Sequence, residues 1–245
     1  MHLIEGEGVT RHFGGLAAVS EVDFYVDQGE IVGLIGPNGA GKTTLFNLIS
    51  AALKPKPGKI TFKGVDITPL PAYKICRMGI ARTFQTVKIF ANVTVVRNVM
   101  VGALFGTGGR ISSRAAQKKA EEALEFVDML PFKDALAGDL TLAQQKRLEM
   151  ARALASGPEL LLLDELMAGL TPLEVAEAMA DIKQIRDRGV TVIMIEHLMQ
   201  AIMGISDRII VLDYGRKIAE GTPQEVANNP KVIEVYLGEE CDVAD

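Results

Sequence analysis

Gly36-Pro-Asn-Gly-Ala-Gly-Lys-Thr43 is the stretch that decides the fold, because it fits the phosphate-binding pattern G-x-x-x-x-G-K-[ST] at every fixed position. Residues 31–35 before it are apolar and partly β-branched, which predicts a buried strand. Residues 44–52 after it place apolar side chains on one face of a helix. Strand, glycine loop and helix in this order are the context that the pattern requires, so the sequence predicts a nucleoside triphosphate site.

Each residue type in this loop has a physical use in binding phosphate. The glycines let backbone N–H groups close around the phosphate oxygens, and the helix N-terminus adds a partial positive charge. Lys42 supplies positive charge toward the β and γ phosphates, and the Thr43 hydroxyl is a predicted Mg²⁺ ligand. The predicted ATP-binding residues of the loop and its helix are Gly36, Asn38, Gly39, Gly41, Lys42, Thr43 and Thr44.

Composition favours a soluble, cytoplasmic protein. The chain has 245 residues and is 48% hydrophobic, without an apolar run near the roughly 18 residues of a membrane span. The first residues lack the basic and apolar regions of a signal peptide. Cys76 and Cys241 are too few and too far apart to indicate a disulfide framework or a metal site. The net charge of −5 argues against nucleic acid as a partner.

The order of predicted elements indicates an α/β core with an insertion. Strands are predicted near residues 3–9, 22–26 and 59–63. Residues 113–129 carry apolar side chains at helical spacing within a segment, residues 71–138, that we interpret as an inserted helical subdomain.

Two helix starts frame the rest of the core. Thr141 with Gln144 matches a capping box, and Thr171 with Glu174 matches a second one that has proline at the first helical position. The second helix is predicted to bury a face that includes three large residues: Val175, Met179 and Ile182.

Polar residues follow two apolar strands, where ligands of open α/β sheets bind. Residues 160–163 end in Asp164 and Glu165, which we predict to be an Mg²⁺ partner and a general base toward the γ-phosphate. Residues 190–195 lead to His197, a predicted γ-phosphate contact, and Gln85 is a predicted water or Mg²⁺ contact and hinge. The alternatives are that Asp164 and Glu165 are an ordinary strand end, that His197 has no role in binding and that Gln85 is a surface residue. The glycine loop upstream favours the functional interpretation.

Taken in order, these motifs resemble the nucleotide-binding subunits of ABC transporters over residues 3–238. Within that superfamily the chain looks most like the ATPase subunits of importers for branched-chain amino acids and, closely related, urea or short amides. The stretches that carry this likeness are residues 13–16, 77–85, 168–170 and 232–238. The implied fold is an α/β P-loop NTPase core (RecA-like) of ABC ATPase type with an N-terminal antiparallel β subdomain and an inserted α-helical subdomain.

The resemblance implies one ABC ATPase domain over residues 1–245. Its core would span about residues 1–85 and 158–238, its helical subdomain about 86–157, and its tail 239–245. Cofactors would be ATP and Mg²⁺, with Thr43, Gln85 and Asp164 on the metal side. The location would be cytoplasmic, peripheral on the inner face of the cell membrane.

Members of this family work as head-to-tail pairs, in which ATP lies between the glycine loop of one subunit and the signature segment of the other. By resemblance, Phe13 stacks on adenine, the alternative being a core phenylalanine. The signature segment is residues 140–144, with predicted contacts from Thr141, Ala143 and Gln144. Implied partners are two membrane permease subunits, a second ATPase subunit (the same or a sister chain) and indirectly a solute-binding protein. Residues 86–104, with Ile89 and Phe90, would receive a membrane subunit.

Two departures from the family pattern bear on activity. Leu142 and Ala143 stand where the signature usually has glycines, and Leu166 stands where proline usually follows the catalytic glutamate. Ala143 adds a methyl group where a phosphate should approach closely, and a positive φ there would cost stability. We therefore expect Ala143 to weaken ATP-driven pairing and Leu166 to loosen Glu165.

Two other functions compete with an importer ATPase. The first is a soluble ABC ATPase of DNA repair or ribosome work, which would usually carry a second cassette or a coiled-coil insertion, and the sequence contains neither. The second is a nucleotide-binding subunit that hydrolyses poorly alone, supported by the altered signature and Leu166.

Overall fold

The computed structural model describes the backbone of residues 2–241 and the side chains of residues 2–236. The strands are β1 His2–Phe13, β2 Leu16–Asp27, β3 Ile31–Ile35, β4 Lys59–Phe62, β5 Val65–Asp66, β6 Ile80–Arg82, β7 Leu160–Asp164, β8 Thr191–Ile195, β9 Arg208–Asp213 and β10 Arg216–Gly221. The helices are α1 Lys42–Ile49, α2 Ala72–Met78, α3 Val95–Phe105, α4 Ser113–Phe126, α5 Leu142–Ala155, α6 Pro172–Asp187, α7 Met199–Ile205, α8 Pro223–Ala227 and α9 Pro230–Cys241. They form two compact units: a first unit of residues 2–71 with 191–241, and a second unit of residues 72–190.

An antiparallel sheet in the first unit has the strand order β2-β1-β4-β5. The β1–β2 hairpin runs from the pair His2↔Asp27 to the pair Phe13↔Leu16, so both strands are longer than the sequence predicted. Buried residues alternate with exposed ones along the second half of β2, as expected for a strand with one face on the core. The predicted N-terminal antiparallel β subdomain is confirmed.

Parallel strands of the first unit position the glycine loop. Strand β3 is buried along its whole length and lies between β8 and β9, parallel to both. Strands covered on both faces are continuous apolar runs, which is why the sequence before the loop has no alternation. Because β3 and β8 are parallel, the loop that follows Ile35 and the residues that follow Ile195 leave the same edge.

The second unit combines a parallel strand pair with helices. Strands β6 and β7 pair from Ile80↔Leu160 to Arg82↔Leu162. Helices α3, α4 and α5 pack on one another, and α4 buries the predicted apolar side chains of Ala116, Ala120, Ala123 and Leu124. Both predicted capping boxes are present at the starts of α5 and α6, so these two predictions are confirmed.

The predicted buried face of α6 is wrong in part. The buried residues are Ala178, Ile182 and Ile185, whereas Val175 and Met179 are only half-buried. The prediction chose Val175 and Met179 because they are large and apolar. In the structure the buried face of α6 includes the small Ala178 instead. The face is therefore rotated from the predicted one.

The predicted helical subdomain, residues 86–157, lies inside the second unit, which also contains β6, β7 and α6. Its exact limits stay a prediction. Helix α9 continues to Cys241 through the first residues of the predicted tail, and residues 242–245 lie outside the described residues. No helix in the described part of the chain has both the length and the apolar character needed to cross a membrane.

Candidate functional site

The glycine loop between β3 and α1 has a backbone that only glycine permits at two points. Gly36 has φ 149°, and a Cβ there would overlap the carbonyl oxygen of Leu212. Gly41 has φ 100°, and a Cβ there would overlap the carbonyl oxygen of Ala18. Helix α1 begins directly after Gly41 without a side-chain cap from the described residues. Its first-turn N–H groups and positive dipole end fit a phosphate.

Lys42 holds the loop together from inside. Its Nζ donates hydrogen bonds to the carbonyl oxygens of Gly36, at 2.6 Å, and Pro37, at 2.8 Å. The side chain is buried, so the ammonium group lies at the loop rather than in solvent. A phosphate bound at the loop would meet this positive charge at close range, where the local dielectric is low. Asn38 and Gly39 in the loop and Thr43 in the first turn of α1 are exposed.

Phe13 and His197, both in the first unit, present accessible rings. Phe13 ends β1 and is 46% exposed, with the Arg11 guanidinium 5.3 Å from its ring centroid. The alternative of a core phenylalanine is therefore excluded, and the open ring fits stacking with a purine. His197 is exposed, two residues beyond the end of β8.

Asp164, at the end of β7 in the second unit, is buried and only partly satisfied. Its Oδ2 accepts a hydrogen bond from Arg82 Nη2 at 2.7 Å, and its backbone N–H donates to the Thr83 hydroxyl at 3.2 Å. Its Oδ1 is buried without a hydrogen-bond partner in the described structure. A buried acceptor without a partner costs about 1–3 kcal/mol, so a ligand is expected there.

An Mg²⁺ ion fits this carboxylate. Mg²⁺ in nucleotide sites usually keeps several waters and takes only one or two protein carboxylates besides the phosphates. The described residues contain no group of three or more His, Cys, Asp and Glu side chains that could hold a metal by themselves. One carboxylate oxygen without a partner, that of Asp164, fits an Mg²⁺ ion that binds together with the nucleotide phosphates.

Glu165 and Gln85 are brought together in the second unit. Gln85 Nε2 donates a hydrogen bond to Glu165 Oε2 at 2.8 Å. Glu165 has φ 51°, a conformation that is uncommon for a residue with a side chain and costs on the order of 1 kcal/mol. Strain of this kind persists where the surrounding structure enforces it, and it is common at active sites. The sequence predicted both residues for the site without predicting this bond.

The signature segment starts α5 through its capping box. The Thr141 hydroxyl accepts from the Gln144 backbone N–H at 3.3 Å, and Gln144 Oε1 accepts from the Thr141 N–H at 3.0 Å. Ala143 is the second residue of α5 and has a helical backbone, so the cost that a positive φ would have for alanine does not arise there. The capping box sets this geometry, and alanine suits a helix better than glycine does. The effect of the Ala143 methyl on an approaching phosphate stays a prediction.

Sequence reasoning missed Arg82 and Lys146. Arg82 ends β6 and pairs with Asp164, and its only signal was its place at the end of a short strand just before Gln85. Lys146 is buried on α5 and donates to backbone oxygens of the turn after β7, including that of Leu166. Leu166 is itself buried, and the loosening of Glu165 that we expect from this residue stays a prediction. The apolar residues around Lys146 recur at helical spacing, and this pattern could have predicted that Lys146 is buried.

Asp181 on α6 gives the second unit a pH-dependent stability. Burial raises its pKa to about 6, Arg147 opposes that rise, and Asp128 and Glu177 add to it. An unfolded aspartate titrates near 3.8, so the folded state binds more protons between about pH 4 and pH 6. The free energy of unfolding therefore falls as pH rises through this window. Above about pH 6 the carboxyl group is ionised in both states, and the free energy of unfolding is lowered by the full amount.

Asp181→Asn is expected to raise the free energy of unfolding at about pH 7.5 by on the order of 1 kcal/mol after solvent screening, and to change it little near pH 4. Urea unfolding at both pH values measures this. Asp187→Asn, at the exposed end of the same helix, is the control and should change neither value. An equal gain at both pH values for Asp181→Asn would contradict the titration as its cause.

A buried strand, a glycine loop closed by its own lysine and a helix that begins at the loop define a P-loop nucleotide-binding protein. The chain belongs to the ABC transporter family, whose ATP-binding domain matches residues 19–168. A second match, to the family described as branched-chain amino acid ATP-binding cassette transporter, covers residues 216–242. As a member of the ABC transporter family the chain binds nucleotide and is an ATPase.

Relatives match the chain over nearly its whole length. It is 42% identical to the high-affinity branched-chain amino acid transport ATP-binding proteins BraF of Pseudomonas aeruginosa and LivG of Escherichia coli, over 97% of this chain and 98% of each relative. The lipopolysaccharide export system ATP-binding protein LptB of Haemophilus influenzae is 35% identical over 98% of this chain and 99% of its own. A crystal structure of an ABC transporter ATP-binding cassette in its ADP conformation matches with a TM-score of 0.89 and 30% identity, over 97% of this chain and 99% of that one.

Proposed function

We propose that this chain is the ATP-hydrolysing subunit of an importer for branched-chain amino acids, or for related small polar solutes such as urea and short amides. The observation that carries the proposal is the match of residues 216–242 to the branched-chain amino acid cassette family, together with 42% identity to BraF. The chain would act in the cytoplasm, at the inner face of the membrane.

In this proposal the residues divide the chemistry among them. The glycine loop and Lys42 bind the phosphates, and Phe13 stacks on adenine. Thr43, Gln85 and Asp164 would hold Mg²⁺, which would supply positive charge against the charge that develops on the phosphates. The partnerless Asp164 Oδ1 supports the metal assignment.

Glu165 orients and deprotonates the attacking water, and His197 contacts the γ-phosphate. The hydrogen bond from Gln85 supports a fixed place for the Glu165 carboxylate. The exposed position of His197 directly beyond β8 supports a role in ligand contact. Thr141, Ala143 and Gln144 would face the nucleotide of the paired subunit.

The proposed partners are a second ATPase subunit, two membrane permease subunits and, through them, a solute-binding protein. An exposed apolar area in the second unit supports a permease contact. Phe90 is 52% exposed and Leu136 is also exposed, on segments joined by the bond from the Ala137 N–H to the Val93 carbonyl at 3.1 Å. An aromatic and an aliphatic side chain exposed on two joined segments are candidates for such an interaction surface.

Uptake by a reconstituted complex tests the proposal. The tagged chain would be purified from native membranes with its associated subunits and placed in liposomes, together with the solute-binding protein that the native cells supply. We expect ATP-dependent accumulation of radiolabelled leucine, and its loss when the complex carries Glu165→Gln. The same preparation is assayed with valine, urea and acetamide.

The substrates separate the outcomes. Transport of urea or acetamide without leucine would keep the importer and change its substrate. ATP-dependent movement of solute outward, or ATP hydrolysis without any accumulation of these solutes, would contradict the proposed importer function.

A further inference from the structure

Helix α5 carries two buried charged residues one turn apart that the proposed binding roles do not use. Lys146 and Glu149 are both at least 90% buried. A buried charge is costly unless hydrogen bonds or a counter-charge compensate it, so the groups that these side chains contact are informative. Both contact backbone next to residues of the proposed hydrolytic site.

Lys146 contacts the turn that follows β7, residues 165–168. Its Nζ donates to the carbonyl oxygens of Glu165 at 3.1 Å, Leu166 at 2.9 Å and Ala168 at 2.5 Å. An ammonium group has three donors, and hydrogen bonds from a charged donor are stronger than those between neutral groups. Lys146 therefore fixes the backbone of the turn at Glu165, the residue whose φ of 51° needs such enforcement.

Glu149 contacts the segment that contains Gln85. Its carboxylate accepts from the backbone N–H groups of Phe84 at 3.4 Å and Lys88 at 3.2 Å, on the two sides of Gln85. Arg152, one turn further along α5, donates to the same carboxylate at 3.2 Å and balances its charge. Burial nevertheless raises the pKa of Glu149, against the effect of these hydrogen bonds and of the positive charges of Arg152 and Lys146.

The two backbone segments that Lys146 and Glu149 contact are joined by one side-chain hydrogen bond. Lys146 holds the backbone at Glu165, Glu149 holds the backbone at Gln85, and Gln85 Nε2 donates to Glu165 Oε2 at 2.8 Å. A helix transmits position well because its backbone is rigid over one turn. Lys146 and Glu149 lie one turn apart on α5, so one stretch of helix contacts the backbone at Glu165 and the backbone beside Gln85.

We propose that Lys146 and Glu149 are positioning residues for ATP hydrolysis, which hold the Glu165 carboxylate and the Gln85 amide in their hydrogen-bonded arrangement. The same helix is capped by Thr141, so α5 carries both the signature segment and the Lys146 side chain that contacts the turn at Glu165. The inference rests on the proposed role of Glu165 and deepens it. A displacement of about 1 Å at a reacting group can lower a rate about 100-fold, so loss of this hold is expected to affect kcat.

Lys146→Met tests the proposal because methionine keeps the length of the side chain and removes its charge and donors. We expect kcat for ATP hydrolysis to fall at least about tenfold, with the Kd of a fluorescent ATP analogue within about twofold of wild type. Lys146→Arg, which retains donors to carbonyl oxygens, is expected to recover most of kcat. Lys119→Met, on the exposed face of α4, is the control and should leave both constants unchanged.

A double-mutant comparison separates positioning from general destabilisation. Since Lys146 acts through the pair of Gln85 and Glu165, Lys146→Met combined with Gln85→Ala should be little worse than the more impaired single variant. A kcat for Lys146→Met within twofold of wild type, additive losses, or an equal loss of ATP affinity would overturn the proposal. If Lys146→Met does not fold, Glu149→Gln decides by the same measurements, with the same split of kcat from Kd expected.

Glu165→Gln, assayed in parallel, distinguishes a failure of the proposed role of Glu165 from a failure of the positioning role of Lys146 and Glu149. If Glu165→Gln retains wild-type turnover, the proposed role of Glu165 fails. If Glu165→Gln loses turnover while Lys146→Met and Glu149→Gln keep it, only the positioning role fails.

Discussion

Glu165→Gln is expected to lower the rate of ATP hydrolysis by a factor of about 100 or more while the affinity for ATP stays the same. Glutamine has nearly the shape of glutamate and can still accept the hydrogen bond that Gln85 donates at 2.8 Å. It cannot take a proton from water, so only the chemical step loses its base. Phosphate release assays for turnover and a fluorescent ATP analogue for affinity measure the two quantities separately.

The control for this variant is Glu122→Gln, which removes an exposed carboxylate from α4 in the same unit. It should leave turnover unchanged, because Glu122 is exposed and its ion pair is with the surface Lys118 at 3.8 Å, and such pairs contribute little. Turnover of Glu165→Gln within threefold of wild type would contradict the assignment of Glu165 as the base.

The same variant reports on pairing. Binding without hydrolysis should let the ATP-bound pair accumulate, which size-exclusion chromatography in saturating ATP detects. A pair of this chain alone would indicate self-association, whereas a pair that forms only after a second ATPase chain is added would indicate a sister subunit.

Lys42→Ala is expected to weaken ATP binding about 10- to 100-fold, because one charged group that donates to phosphate contributes about 1.5–3 kcal/mol and each 1.4 kcal/mol is tenfold. The variant also loses the bonds from Nζ to the Gly36 and Pro37 carbonyls, so the loop itself loses an internal support. Both effects act before the chemical step. Isothermal titration with ATP measures the affinity directly.

Lys54→Ala is a matched control. Lys54 lies in the same unit and its Nζ also donates to a backbone carbonyl, that of Pro69, at 2.8 Å, but it is outside the glycine loop. Both variants remove one positive charge and a hydrogen bond from Nζ to a backbone carbonyl, but Lys42 is buried at the loop and Lys54 is exposed away from it. Similar affinities for Lys42→Ala and Lys54→Ala would contradict a phosphate-binding role for Lys42.

Much of the local structure was predictable because its causes are local. The glycine loop, the capping boxes that begin at Thr141 and Thr171, and the apolar face of α4 are each set by residues within a few positions of one another. Backbone conformation and hydrogen bonds inside one turn depend little on the rest of the chain. The hairpin of β1 and β2 was underestimated because polar residues near its end resemble a loop in sequence, while its pairing runs to Phe13↔Leu16.

The sequence by itself determined that the chain is a P-loop protein and which residue types its site would contain. Tertiary structure alone decided the pairing of Arg82 with Asp164, the bond between Gln85 and Glu165, and the contact of Lys146 with the turn after Glu165. The two members of these contacts are up to 82 residues apart, as Arg82 is from Asp164. Motifs depend on short-range geometry that spacing records, whereas contacts between buried charges and distant backbone depend on how strands and helices pack, which spacing does not record.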